Sequence, residues 1–391
     1  MRLTITALIT VGVITAGLYS APAEEPARVR ISPLLSDKDD HYISRQAEVF
    51  LKRVREVLAQ FPPTPKPGLE RKMAFSLLDA VTHETYAPNR PELITFHHER
   101  IGAAVTEIES TTVSDGARIW QLYNHGFVVK TKTVTLGFDL FRGPSRTRGQ
   151  DLTGEIVSIP TPDFPIDDDV AKRLAAQCDV LFISHLHQDH ADPFIAREMI
   201  EQGKPVVATT ETFADAGRYK DLGFDIATVH NGLTFMERKV HEVQKLPVQQ
   251  GKIVLDVIVN PGHQEKALCN NVVVKTPEGL TFVHNGDQYN DPTDPEQKDF
   301  EWIDQMGDHS DIDVVMTNCW MEDPLRYVEG TRPKLTIFGH MIEMGHPCWD
   351  RMAYWGDAEY IQSTYDKLLA SDHLVLIMAW GESYHYMRPA G

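Results

Sequence analysis

Four cysteines in 391 residues, Cys178, Cys269, Cys319 and Cys348, show no CxxC spacing, which argues against a thiolate metal knuckle or a thioredoxin-type redox pair. Their spacing leaves both buried thiols and disulfides open. Basic charge is also scarce: 38 Lys and Arg stand against 56 Asp and Glu, for a net charge of −18. Such a chain has no basic stripe from which to release counterions, so binding along a nucleic-acid backbone is not expected. There is no GxSxG elbow and no phosphate-cradling glycine loop, so a covalent serine route lacks its residues. Internal repeats and low-complexity tracts are missing too.

The one long apolar run is N-terminal. Arg2 precedes Leu3–Leu18, and Ala21-Pro22-Ala23 then supplies an A-x-A site before Glu24-Glu25. An apolar core of about 16 residues falls short of the roughly 20 that a span requires. The layout predicts a signal peptide over 1–23 and an exported, periplasmic or secreted chain with no stable membrane span after cleavage. The remainder, in a sequence with 42% hydrophobic residues, can bury a full core.

Ser184-His185-Leu186-His187-Gln188-Asp189-His190 is the most informative stretch, with four metal-type ligands in six residues. It follows Asp179–Ser184, an apolar run that reads as a buried strand. Extended backbone would send His185, His187 and Asp189 to one side, and His190 requires a turn. Asp192-Pro193 then reads as an N-cap and first helical position, opening a helix to about Gln202. Imidazole and carboxylate suit zinc or another first-row metal. Three further strand-like runs end beside potential ligands: 252–259 before Asn260-Pro261-Gly262-His263, 280–284 before Asn285-Gly286-Asp287, and 334–338 before Gly339-His340. Ligands at four strand ends converge only at one edge of packed sheets, where open α/β folds keep their sites.

With His185-x-His187-x-Asp189-His190, His263, Asp287 and His340 in this order, the chain resembles the metallo-β-lactamase-fold hydrolase superfamily over residues 116–391. The resemblance implies an α/β fold, an αββα sandwich of two mixed sheets. It implies that His185, His187 and His263 hold a first metal, that Asp189, His190 and His340 hold a second, and that Asp287 bridges them. A bridging aspartate is similar to the lactonase, phosphodiesterase and thioester-hydrolase branches rather than to true β-lactamases. The closing Leu374–Glu382 run resembles the branch of ascorbate-phosphate lactonases and N-acyl-phosphatidylethanolamine phospholipases. In the family an aspartate near the end of the third strand lies beneath the metals, which makes Asp139 a candidate for orienting a ligand histidine.

Residues 24–115 read as a helical N-terminal extension, with helices at 43–61, 69–82 and 97–110 and a Pro-rich connector after Phe61. An appendage packed on the core, a cap over the site and an oligomerisation arm all fit, so a homo-oligomer stays open. Short strands follow at 119–123, 127–131 and 133–139. His125 in the first hairpin turn and Tyr289 beyond Asp287 are candidates for facing substrate. His346 competes with His340 as the last ligand, and Met341, Met344, Trp349, Tyr354 and Trp355 could line an apolar pocket or pack a core.

The ligand set implies two divalent ions, zinc first with Mn²⁺ or Fe²⁺ as alternatives. Together they would lower the pKa of a shared water and polarise a carbonyl or phosphoryl oxygen, and Asp189 could pass the proton to the leaving group. The expected activity is therefore hydrolysis of a lactone, ester, thioester or phosphodiester in a small-molecule or lipid-derived substrate, with Asp189 and Asp287 as catalytic carboxylates. The alternatives are a mono-iron oxygenase similar to persulfide dioxygenases and a non-catalytic metal-binding protein on the same fold.

Overall fold

The computed structural model describes residues 42–66, 68–82, 87, 90–143, 149–150, 156–157, 166–219, 223–264, 266–289, 297–319, 321, 323–344 and 372–389. Residues 1–23, where a signal peptide is expected, and His346, Cys348, Trp349, Tyr354 and Trp355 lie outside them. The chain divides into two compact units, Met1–Arg45 and Gln46–Gly391, the second of which holds every strand among the described residues.

Three helices come first: α1 (Tyr42–Gln60), α2 (Leu69–Thr82) and α3 (Pro91–Ser110). The third begins six residues before the expected 97, because Pro91 fills its first turn, where a missing N–H costs nothing. Next are β1 (Ala117–Gln121), β2 (Phe127–Lys130), β3 (Thr135–Phe138) and a small ribbon of β4 (Gly149–Gln150) with β5 (Ile156–Val157). The first half continues through α4 (Asp168–Gln177), β6 (Val180–Phe182), α5 (Pro193–Glu201), β7 (Val206–Val207) and α6 (Ile226–Asn231). The second half opens with β8 (Gln244–Val248), β9 (Ile253–Gln264), β10 (Ala267–Lys275) and β11 (Thr281–His284). It closes with α7 (Asp299–Ile303), α8 (Met306–His309), β12 (Val314–Asn318), α9 (Pro324–Thr331), β13 (Leu335–Gly339), β14 (Val375–Ile377) and β15 (Glu382–Tyr386).

Two mixed sheets result, ordered β15-β1-β2-β3-β6-β7 and β14-β13-β12-β11-β10-β9-β8. In each, antiparallel pairing gives way to parallel pairing, at β3–β6 in the first and β11–β12 in the second. Period-two alternation sorts the side chains into layers. On β2, Phe127 and Val129 enter the core between the sheets, while Val128 faces the helices. On β10, Val272 and Val274 enter that same core, and Val273 packs under α7–α9 with Trp302 and Tyr327. Leu51 of α1, Phe96 of α3, Leu174 of α4 and Ile195 of α5 cover the other side of the first sheet. Helix, sheet, sheet, helix is the αββα sandwich that the resemblance implied.

One boundary differs in a way that matters for the site. The strand expected to stop at Val259 runs on through His263 to Gln264, pairing Gly262 with Cys269 and His263 with Leu268. Pro261 is tolerated because β8 has already ended opposite Val257, leaving that edge of β9 without a partner strand. Among the described residues no helix is long and apolar enough to cross a membrane. Cys178, Cys269 and Cys319 are buried and not in disulfides. Met341 and Met344 are buried in the helix-side core.

Candidate metal centre

β3 and β6 lie side by side, and both end at the same rim of the first sheet. The chain leaves β3 through Asp139, whose φ of +43° turns it out of the strand, and leaves β6 into Ile183-Ser184-His185. Asp139 accepts from the Ser184 N–H at 2.7 Å, the Ser184 hydroxyl at 2.6 Å and His190 Nδ1 at 2.7 Å. The 185–190 loop is stopped by α5. Asp192 caps it, taking the N–H groups of Phe194 and Ile195, and its other oxygen accepts from Arg142. This local sequence therefore fixes both ends of the histidine loop.

The second sheet contributes from the facing rim. Asp287 lies in the turn after β11, beyond Gly286, where φ is +54° and a Cβ would stand 2.3 Å from that of Ser184. Glycine is required there for the two rims to approach. His340 follows β13 with φ +59°, and its N–H donates to the Asn124 carbonyl in the β1–β2 turn at 3.2 Å.

Two donor sets result, Asp189–His190–Asp287–His340 and His185–His187–Asp287, with the candidate ligand atoms of each within 4.8 Å of one another. Asp287 belongs to both. His190 Nε2 lies 3.1 Å from Asp189 and 3.0 Å from Asp287, and His340 Nε2 lies 3.2 and 3.4 Å from the same carboxylates. His185 Nε2 stands 3.7 Å from Asp287. His263 is outside both sets. Its Nδ1 lies 3.0 Å from each oxygen of Asp299, which Gln288 also binds at 2.7 Å.

Behind the histidines sits a consistent set of Nδ1 partners. His190 has Asp139, His263 has Asp299, and His185 has the Ser184 hydroxyl at 2.9 Å; Glu343 stands 4.0 Å from His340 Nδ1. Occupying Nδ1 leaves Nε2 as the lone-pair nitrogen, the tautomer that a metal requires. Of these partners Asp139 was expected; Asp299, Ser184 and Glu343 were not singled out, nor was Asn124.

Burial alone would raise the Asp189 and Asp287 carboxyls, but His190 and His340 outweigh it and hold both well below the usual range. Burial would lower His340, yet Asp287 and Asp189 push it up to about 10, and the same carboxylates with Asp139 hold His190 well above the ordinary value. His185, by contrast, falls to about 3 through burial and then the field of His190. The first pocket thus presents a neutral imidazole, and the second is a field that favours positive charge. His185 Nε2, His190 Nε2 and Asp287 Oδ1 are buried without a hydrogen-bond partner among the described residues. Orphaned polar atoms of this kind, with His185 in one donor set, His190 in the other and Asp287 in both, fit metal ions.

The remaining candidates occupy defined places. His125 is buried with its ring 4.3 Å from that of His284, and neither ring nitrogen has a partner among the described residues. His284 donates from Nε2 to the His125 carbonyl at 3.0 Å and accepts the Gly286 N–H at 3.2 Å, which gives it a structural role beside Asp139. Tyr289 is half-buried and donates its N–H to the His263 carbonyl at 2.8 Å.

No family model matches the chain, and no curated protein matches it. Solved structures are similar at low identity. A metallo hydrolase from the archaeon Ignicoccus hospitalis is 16% identical at a TM-score of 0.41, over 70% of this chain and 100% of that one. An isothiocyanate hydrolase from Delia radicum gut bacteria is 15% identical at 0.45, over 69% and 99%. The diiron β-hydroxylase CmlA from Streptomyces venezuelae is 12% identical at 0.42, over 71% and 55%. The fold assignment stands on the chain's own two sheets rather than on these likenesses.

Proposed function

We propose that this chain is a dinuclear metal-dependent hydrolase that cleaves an ester-type bond, in a lactone, carboxylic ester, thioester or phosphodiester, of a small-molecule or lipid-derived substrate. The observation that carries it is Asp287 shared between two buried His/Asp donor sets. His185, His187 and Asp287 would hold one ion, with His263 of β9 as the further ligand that the resemblance implies. Asp189, His190, Asp287 and His340 would hold the other. Zinc suits these imidazole and carboxylate donors at both positions, with Mn²⁺ or Fe²⁺ as the alternatives. Divalent ions bound there supply Lewis acidity toward a carbonyl or phosphoryl oxygen and acidify a water.

The chain's own part is orientation and proton handling. Asp139, Ser184 and Asp299 fix the imidazoles at Nδ1, so that no reorganisation is needed as charge develops. Asp189 keeps about a quarter of its side-chain surface exposed, at 24%, against 3% for Asp287. It is the carboxylate placed to take a proton and release it toward a leaving group, while Asp287 serves the sets as a fixed bridge. Export through cleavage near Ala23 belongs to the same proposal.

Elemental analysis of protein purified without added metal, run beside His185→Ala, tests the reading. About two zinc equivalents, reduced in the variant, with turnover of a lactone, ester or phosphodiester panel, is the expected result. One iron per chain with oxygen consumption would replace the hydrolase by an oxygenase, and no bound metal would overturn the site altogether.

A further inference from the structure

Asn124 sits in the β1–β2 turn, fully buried, at φ +51°. Its carbonyl is held by the His340 N–H and by Gln121 Nε2, both at 3.2 Å. Its side chain is thereby aimed into the second donor set. Nδ2 lies 2.9 Å from Asp189 Oδ2 and 3.1 Å from His340 Nε2. Oδ1 is buried without a hydrogen-bond partner among the described residues.

We propose that Asn124 is a further protein ligand of the second metal position, binding a divalent cation through its carboxamide oxygen. The inference rests on the reading of Asp189, His190, Asp287 and His340 as a metal position. Ligand atoms that share one ion at about 2.0–2.2 Å stand about 3 Å from each other. The four imidazole–carboxylate spacings within this set run from 3.0 to 3.4 Å. The carboxamide terminus, at 2.9 and 3.1 Å from two of its members, falls on the same shell rather than behind it. A residue that merely braced Asp189 from outside would not also approach His340 Nε2, the nitrogen that would face the ion.

The two ends of a carboxamide are nearly isosteric, so a half-turn about χ2 exchanges them in place. With nitrogen inward, the side chain serves Asp189 but leaves its oxygen orphaned. With oxygen inward, it supplies a hard neutral donor, and a cation attracts the carbonyl dipole as it repels the N–H. Gln121 Oε1, on the side chain that binds the Asn124 carbonyl, is itself a buried acceptor without a donor among the described residues. The neighbourhood therefore has an acceptor to spare for the outward-turned amide. An added oxygen ligand fills the second position and weights it toward ions that accept five or six ligands. The open coordination places are then left to the His185–His187 position.

The test uses Asn124→Gly, since glycine accepts φ +51° without strain, and Asn124→Asp, which keeps an oxygen at the vertex. Metal retention is measured by elemental analysis after dialysis against graded chelator, and the coordination number by the absorption spectrum of the Co²⁺-substituted protein. Wild type should keep two ions, and Asn124→Gly should lose one at about 10- to 100-fold lower chelator. At saturation its Co²⁺ bands should gain the intensity of a site with fewer ligands. Asn124→Asp should keep both ions and the wild-type spectrum. Wild-type retention and spectrum in Asn124→Gly overturn the proposal, as does weaker retention with an unchanged spectrum, which would mean that the amide only orients Asp189. Loss of an ion in Asn124→Asp overturns it even where the glycine variant does not fold. A wild-type protein that binds no divalent ion overturns the metal-centre reading itself, a failure distinguishable from that of Asn124 alone.

Discussion

Asp139 holds His190 from behind: Oδ2 lies 2.7 Å from Nδ1, with both groups fully buried. The same carboxylate takes the Ser184 hydroxyl, which in turn lies 2.9 Å from His185 Nδ1. One buried charge thus sets the tautomers of two candidate ligands that belong to different donor sets. Asp139→Asn keeps the shape and the positive φ but turns an amide toward His190 or Ser184. The His190 proton is then free to move to Nε2, where it blocks a metal. Chelator competition should show metal affinity lowered by about 10- to 100-fold. Unchanged retention would mean that the tautomer is set by something else.

Asp287 is the member common to both sets. Asp287→Ala should therefore lower the content of both ions together with activity, whereas His187→Ala should deplete the first position alone. Elemental analysis separates the two patterns. Two ions still bound in Asp287→Ala at full activity would refute the bridge. His340→Ala should be far more damaging than His346→Ala, because the His340 Nε2 already stands within 3.4 Å of two carboxylates.

The candidate ligands were legible because metal chemistry is written in residue types. His185 to His190 crowd one loop, and Asp287 and His340 each follow an apolar run that could only be a buried strand. Asn124 and Asp299 left no such mark. An asparagine in a turn is what any turn uses, and Asp299 comes 36 residues after the histidine it binds, on a short helix with no periodic pattern of its own. Sheet order was hidden for the same reason. β15 closes the first sheet against β1, pairing Ala117 with Tyr386, and no local sequence signal encodes a partner that distant. His263 shows the opposite error: Pro261 reads as a strand stop by local rule, but a partnerless edge tolerates it and the ladder continues.

Asp313 sets part of the response to acid. It is buried between Arg388, the Tyr386 hydroxyl at 2.9 Å and the Thr281 N–H at 2.9 Å. Burial would raise its carboxyl, but the Arg388 hydrogen bond and these donors outweigh that and hold it below the usual value of 3.8. A depressed carboxyl contributes stability that is complete above its unfolded pKa of about 3.9 and is lost as pH falls through the folded value. Urea unfolding should therefore show stability falling below about pH 4. Asp313→Asn should be less stable at neutral pH and should show a shallower loss in acid. Parallel pH profiles for the two proteins would remove Asp313 from the account.

The N-terminal helices carry a testable share of the fold through one ion pair. Arg71 of α2 binds both oxygens of Glu382, at 2.9 and 2.6 Å, with 2% and 4% of the side chains exposed. The same Nη1 and Nη2 also donate to the carbonyls of Phe61 and Ile377, and Glu382 also accepts the Ala379 N–H at 2.8 Å. This network ties the helical layer to the turn between β14 and β15. There Arg100 donates to the Trp380 carbonyl at 2.9 Å, and the Trp380 indole donates to Ile342 at 3.0 Å, in the loop that follows His340. Removing one partner leaves the other charged and buried, at a cost of about 3–5 kcal/mol. Arg71→Ala and Glu382→Ala should each lose about that much in urea unfolding, and the double variant should lose much less than their sum. Arg71→Lys should not restore the pair, since an ammonium cannot grip both oxygens in one plane. Because this chain of contacts ends at the His340 loop, Arg71→Ala should also release the second ion at lower chelator than wild type. A variant that loses stability while holding both ions as tightly as before would confine the pair to folding and cut its connection to the site.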